Sequence, residues 1–349
     1  MSGNKARCIN IGIIWIITVL VYAVLILIFR DLLSDDYCLF GLLKNNPDNF
    51  ISLNKSDPYF FFSRPLSYFT HWLDFNVFGL SVLWMKYLSL LLLCIFTSVY
   101  YLLLEELSGF LKYGKHHTAY LLSSLYVISS VLTVLSVVWI SERNQLLMLT
   151  FYVLSIYLFL KYLNNDGRNV FLYLSFVSFL LSLLSKQQSV HLPLLLIALV
   201  YFYKDRINKN RLKFISKWLV LFFSVSLAAA LYFSLNQRLY TDIILLNLWK
   251  KPFFYVSSFL YILFPFLADR VYIFFVEYRH TVTLIAYPLM VLAALLIYYR
   301  KIKIPRGVLF VLVVYVLSGY PVVFLSIQAR LLHPQLLIVS AFLAVYLSG

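Results

Sequence analysis

Charge is the scarcest property of this 349-residue chain: 12% of its residues are Asp, Glu, Lys or Arg, where a soluble domain carries about 25%. The deficit is filled by apolar residues, 62% of the chain against the usual ~45–50%. That excludes a soluble globule. Cysteine is scarce too. Cys8, Cys38 and Cys94 stand far apart, which excludes a disulfide framework and a cysteine metal cluster. Acids are fewer than bases, 14 against 29, leaving a net charge of +15. In a soluble protein such an excess points to nucleic acid. In a polytopic membrane protein it arises from cytoplasmic loops held inside by Lys and Arg, and no nucleic-acid partner is expected. A P-loop, a dinucleotide fingerprint and a Ser-His-Asp arrangement are all missing.

What the chain does have is long apolar runs. They lie at residues 9–29, 80–104, 118–138, 145–163, 169–185, 189–203, 214–235, 282–299, 307–326 and 334–348, and a helical span needs about 20 residues. The expected fold is an all-α polytopic transmembrane bundle of about 10 spans, residues 1–349 forming a single membrane domain. The first run follows Lys5 and Arg7 and lacks a small-residue cleavage site, so it reads as a first span and not a cleaved signal.

Charge sets the orientation. The 204–217 loop holds Lys204, Arg206, Lys209, Arg211, Lys213 and Lys217 against Asp205 alone, and short basic loops stay in the cytoplasm. Counting back through six spans puts Lys5 and Arg7 on the same side. Arg300, Lys301, Lys303 and Arg306 form a second cytoplasmic loop. Parity then requires that residues 253–267, with Pro252 before them and Pro265 inside, do not cross. They are expected to form a re-entrant or interfacial segment within an outer loop, residues 236–281. The other long outer loop, residues 30–79, contains Asp31, Asp35, Asp36, Asp48, Asp57 and Asp74. A segment that long with aromatic clusters of its own is expected to be structured, with an amphipathic interfacial helix over Leu66 to Phe78.

Within that loop Asp35 and Asp36 follow the first span, with Tyr37 beside them. Two adjacent carboxylates near a membrane raise one another's proton affinity, which suits a general base; the plainer reading is a pair of solvated acids. Four cations face the same outer side: Arg64 before Pro65, Arg143 in Trp139-Ile-Ser-Glu-Arg143, Lys186 in Leu184-Ser-Lys186, and Arg330. Each opposes the positive-inside bias. Snorkelling to headgroups accounts for any single one, whereas four facing a carboxylate pair suit a phosphate or pyrophosphate.

The order of these strings resembles the GT-C superfamily of membrane glycosyltransferases, which includes protein O-mannosyltransferases, aminoarabinose transferases of lipid A and membrane transferases with tetratricopeptide repeats. The likeness runs from Asp35 to Pro334. It implies a polyprenyl-phosphate-linked sugar donor, Asp35 or Asp36 as the base that deprotonates an acceptor hydroxyl, and Arg64, Arg143, Lys186 and Arg330 as holders of the leaving phosphate. Inversion at the anomeric carbon would follow. The chain departs from the pattern at Gln187, where relatives often have Glu, and at Gln328-Ala329, and no soluble domain is expected after the last span. The expected acceptor is a lipid-linked or surface glycan, and the expected place is the inner (cytoplasmic) membrane of a bacterium with the site facing outward.

Tyr37, Tyr59, His71 and His333 are further candidates for substrate contact, while His116 and His117, beside Lys115, read as a solvated turn. No cofactor is required; a divalent cation at Asp36 is the one metal considered, without a ligand set to support it. Two other readings compete. A transporter or flippase of a lipid-linked saccharide needs charges or broken segments inside spans, and the spans here carry few. A surface-polysaccharide polymerase or ligase usually has its large outer loop late in the chain, and here it is early.

Overall fold

A computed structural model describes residues 3–33, 35–45, 64–79, 81–111, 116–164 and 168–236, together with eight single positions between 310 and 344. The described residues are helical and include no strand. Among the described residues of 3–236 the α-helices are, in order, α1 (Gly3–Ile28), α2 (Asp35–Asn45), α3 (Pro65–Phe78), α4 (Val82–Leu111), α5 (His117–Ser129), α6 (Val131–Val138), α7 (Arg143–Asn164), α8 (Asn169–Ser185), α9 (Leu192–Tyr203) and α10 (Lys209–Asn236). Short 3-10 turns at Ile140–Glu142, Gln187–His191 and Lys204–Arg206 lead into or out of them. Among the described residues, four helices are long and apolar enough to cross a membrane, over Asn4–Ile28, Val82–Leu111, Ile140–Asn164 and Lys209–Tyr232. The expected spans at 282–299, 307–326 and 334–348 and the segment 253–267 lie outside the described residues, apart from the single positions.

The core is built on α7, which packs along α8 and α4. Serine lets α7 and α8 approach closely: the Ser155 hydroxyl donates to the Ser175 carbonyl and the Ser175 hydroxyl to the Ser155 carbonyl, both at 2.8 Å. Small hydroxyl residues are how membrane helices gain close packing and an interhelical hydrogen bond together. Around this hairpin Tyr152, Phe159, Phe179, Leu93 and Tyr100 are buried. Helix α1 shows the one-sided version of the pattern. Ile14, Thr18, Tyr22 and Ile26 are buried at four-residue spacing, while Ile16, Leu20, Val24 and Leu27 are exposed, the arrangement of a helix with protein on one face and lipid on the other.

Two expected elements differ. Residues 118–138 are not one helix: the chain breaks at Ser130, whose extended backbone separates α5 from α6 and whose side chain accepts from the Thr133 amide. A serine hydroxyl offers the backbone an alternative to helical pairing, and here it starts a second helix. Residues 189–203 likewise divide into a 3-10 turn and α9, with Pro193 in the helix's first turn.

The helix expected at Leu66 to Phe78 is present as α3, entered through Pro65 and ended at Gly79, whose φ of 61° a side chain would resist. Its faces are turned the unexpected way. Ser67, His71 and Asp74 are buried against the bundle, while Phe69, Leu73 and Val77 point outward. At the far end of the bundle, Arg7 forms a two-pronged pair with Glu105, both contacts 2.7 Å. There His117 is no solvated turn: its Nδ1 meets the Tyr101 hydroxyl at 2.9 Å and the rings stack.

Candidate functional site

Four consecutive residues, Ile140 to Arg143, tie the elements of the Asp36 end together. The first three form a 3-10 turn and Arg143 begins α7. The Asp36 carboxylate, fully buried, accepts from the Ser141 amide at 2.7 Å and from the Ile140 amide at 3.4 Å. It also accepts from the Leu33 amide at 3.1 Å. The next residue, Glu142, receives the Lys186 ammonium at 3.2 Å. Arg143 then ion-pairs with Asp74 of α3, while its Nε donates to the Ser89 hydroxyl at 2.8 Å and its other terminal nitrogen to the Met85 carbonyl at 2.5 Å. One turn of backbone thus gathers α2, α3, α4 and the end of α8.

Local sequence explains each placement. Asp36 lies in the first turn of α2, close enough in the chain to α1 to reach the Leu33 amide. Lys186 stops α8, its backbone extended and its amide donating to the Ser182 carbonyl. Asp74 and His71 are three residues apart on α3 and therefore share its inward face. Lys86, near the start of α4, is fully buried and donates to the Asp31 carbonyl at 2.7 Å and to the Phe29 carbonyl. It satisfies carbonyls left over where α1 ends.

Burial shapes the electrostatics. It pushes the Asp36 carboxyl above the ordinary range, against the pull of the amides from Ser141, Leu33 and Ile140. It raises Asp74 as well, with Arg143 opposing. His71 is held well below its usual value, first by burial and then by the neighbouring Arg143 charge, so its ring is neutral. Of the three buried cations among the described residues, Arg143 and Lys186 each have a carboxylate against them and Lys86 has two backbone carbonyls, as buried charges require.

Of the residues singled out in the sequence, Asp36, Arg143, Lys186 and His71 come together here. Arg64 sits at the N-cap of α3, half-buried, at the edge of this group. Tyr37 is exposed. Asp35 opens α2, and only its backbone is described. Tyr59, Arg330 and His333 lie outside the described residues.

Sequence reasoning did not put Glu142, Asp74 or Lys86 in the site. Lys86 broke the positive-inside bias just as Lys186 did, and that was a usable signal. The acids were visible as well, but their pairing with Arg143 and Lys186 depends on which helix ends meet. The idea of a cation at Asp36 gains no support: its oxygens face N–H donors, and no cluster of three His, Cys, Asp or Glu side chains occurs among the described residues. No protein-family model, curated protein or solved structure matches the chain.

Proposed function

We propose that the chain is a membrane glycosyltransferase of the GT-C kind, moving a sugar from a polyprenyl-phosphate donor to a hydroxyl of a lipid-linked or surface glycan on the extracytoplasmic side. One observation carries the reading. A carboxylate following the first span is buried on the turn that continues into Glu142, paired with Lys186, and Arg143, paired with Asp74. Acid and cations from separate helices therefore meet at one end of the bundle, as attack beside a leaving phosphate needs.

The two aspartates divide the work. Asp36 shares its lone pairs with three backbone amides, so it anchors α2 and is a positioning residue. Asp35, adjacent to it, is the base. It takes the proton of the acceptor hydroxyl as that oxygen bonds to the anomeric carbon. The bond from that carbon to the phosphate oxygen breaks, its electron pair leaves with the polyprenyl phosphate, and the configuration inverts. The departing dianion needs cations more than acid. Arg64, Lys186 and Arg143 supply them, the last two by exchanging part of their carboxylate pairing for phosphate oxygens.

The test uses membranes containing the full chain and radiolabelled polyprenyl-phosphate sugars. Asp35→Asn should lower transfer by about 10²–10⁴-fold, the usual worth of a positioned base. Asp36→Asn should lower it less and should also destabilise the fold. Transfer at the wild-type rate by both variants would end the glycosyltransferase reading.

A further inference from the structure

Helix α10 carries its charge on the face turned away from the core. Its inner face is apolar and buried: Ile215, Leu219 and Phe222 belong to the core, the Phe222 and Phe179 rings stack at 5.2 Å, and the Ser226 hydroxyl donates to the Val190 carbonyl. The opposite face is exposed along its length. At 3.6 residues per turn, Lys209, Lys217, Val220, Leu227 and Leu231 all fall within about 40° of the line through Lys213, and all six positions are exposed. Three lysines therefore head one stripe, and below them it is apolar, with Ser224 alone interrupting.

The spacing decides what the lysines meet. From Lys209 to Lys217 the helix rises about 12 Å, whereas the headgroup layer of one leaflet is only about 5–7 Å deep. Water does not reach all three ammonium groups equally, and Lys217, next to Val220, stands where phosphates give way to acyl chains. Snorkelling explains one such lysine; three in line concentrate positive charge at one place on the lipid-facing surface. The chain brings little to neutralise them. Asp205, the one acid of the 204–217 loop, is flanked by Lys204 and Arg206. In the orientation set by charge, Asp242, Asp269 and Glu277 belong to the loop on the other side, and the second loop on this side adds Arg300, Lys301, Lys303 and Arg306. A zwitterionic headgroup offers its phosphate with a cation attached. An anionic one offers it without.

We infer that the stripe of Lys209, Lys213 and Lys217 on α10 binds an anionic phospholipid of the leaflet at this end of the bundle, its phosphodiester on Lys213 and Lys217 and its acyl chains along Val220 and Leu227. This site is at the opposite end from Asp36 and does not depend on the glycosyltransferase reading. Its effect reaches inward, because the buried face of the same helix holds Val190, in the 3-10 turn that follows Lys186.

The experiment is a lipid titration of the full chain in neutral detergent, read by native mass spectrometry, with phosphatidylglycerol and phosphatidylcholine of the same acyl chains. Wild type should prefer phosphatidylglycerol. One lysine at an anionic lipid surface strengthens binding about fivefold, so Lys213→Gln with Lys217→Gln should weaken phosphatidylglycerol binding about 25-fold and leave phosphatidylcholine binding unchanged. Both positions are exposed, so this variant should melt with wild type in lipid-free detergent. Lys5→Gln with Arg168→Gln removes the same charge from exposed positions on α1 and before α8, and should change phosphatidylglycerol binding about twofold or less. Three results would overturn the site: no preference for phosphatidylglycerol in wild type, equal losses in the two double variants, or displacement of the lipid by inorganic phosphate, which has no acyl chain to lay on Val220 and Leu227.

Discussion

Glu142 and Lys186 hold each other in a place where neither ion would be stable alone, since both are buried on opposite sides of a 3.2 Å contact. Removing one member of such a pair strands the other charge, so Glu142→Ala should cost about 3–5 kcal/mol. The double change Glu142→Leu with Lys186→Met should recover most of it; both are read by thermal unfolding in detergent. Recovery of stability without recovery of transfer would separate the pair's structural part from its part in catalysis. His71 makes a pH prediction. Its folded-state value lies well below that of an ordinary histidine, about 6.5, so the unfolded chain binds the proton first. Stability is then full above pH 6.5 and is lost as pH falls toward the folded value. Asp36 and Asp74 act in the opposite sense, because their raised values ease as pH falls toward the carboxylate range. The histidine contribution begins to be lost as pH falls through about 6.5. The melting temperature of the wild type should therefore fall relative to that of His71→Phe on acidification from about pH 7.5 to about 5.5. A drop that runs parallel in the variant would remove His71 as its cause.

Whole helices show what the sequence reveals and what it hides. The run at 169–185 coincides with α8 end to end, because an uninterrupted apolar stretch between Arg168 and Lys186 has no alternative boundary. The run at 118–138 misled because Ser129-Ser130 sits in unbroken apolar surroundings, and composition alone does not say whether a serine faces out or caps. If Ser130 starts α6 as its geometry indicates, Ser130→Ala should cost ~1 kcal/mol, while Ser129→Ala, at an exposed position whose hydroxyl returns to the Tyr126 carbonyl, should stay within about 0.5 kcal/mol. Chemical or thermal unfolding of the two variants checks it, and equal costs would deny the cap. For α3 the amphipathic pattern was legible and its direction was not. Polar residues on a membrane helix turn toward water at an interface but toward other protein where partners wait there, and Arg143 is such a partner for Asp74. The same limit applied to the site. Asp36, Arg143, Lys186 and His71 stood out by residue type and side, whereas Asp74 and Glu142 became site residues only once helix ends met.

At the scale of the molecule the two ends of the bundle differ in kind. At the Asp36 end, charges are sunk among helices and cross-linked. At the other end, basic residues of the 204–217 loop close off helices from outside: Arg206 donates to the Phe110 carbonyl at 2.7 Å and Arg211 to the Leu163 carbonyl at 3.0 Å. Those carbonyls end α4 and α7, so the cations also meet the negative ends of two helix dipoles. Part of the +15 excess thus has a packing role as well as a topological one. The proposed orientation puts this end in the cytoplasm and the Asp36 end outside, and the three native cysteines can test it without a substitution. Cys8 is exposed beside Arg7, Cys38 is exposed on α2, and Cys94 is buried. A membrane-impermeant maleimide applied to intact cells should label Cys38 alone. Permeabilisation should add Cys8, and Cys94 should react only after unfolding, because a thiol buried in apolar surroundings is inert. Labelling of Cys8 before permeabilisation, with Cys38 protected, would turn the molecule over and place the Asp36 end in the cytoplasm. Polyprenyl-phosphate sugars presented from outside would then not reach it, and the function proposed above would fail with the orientation.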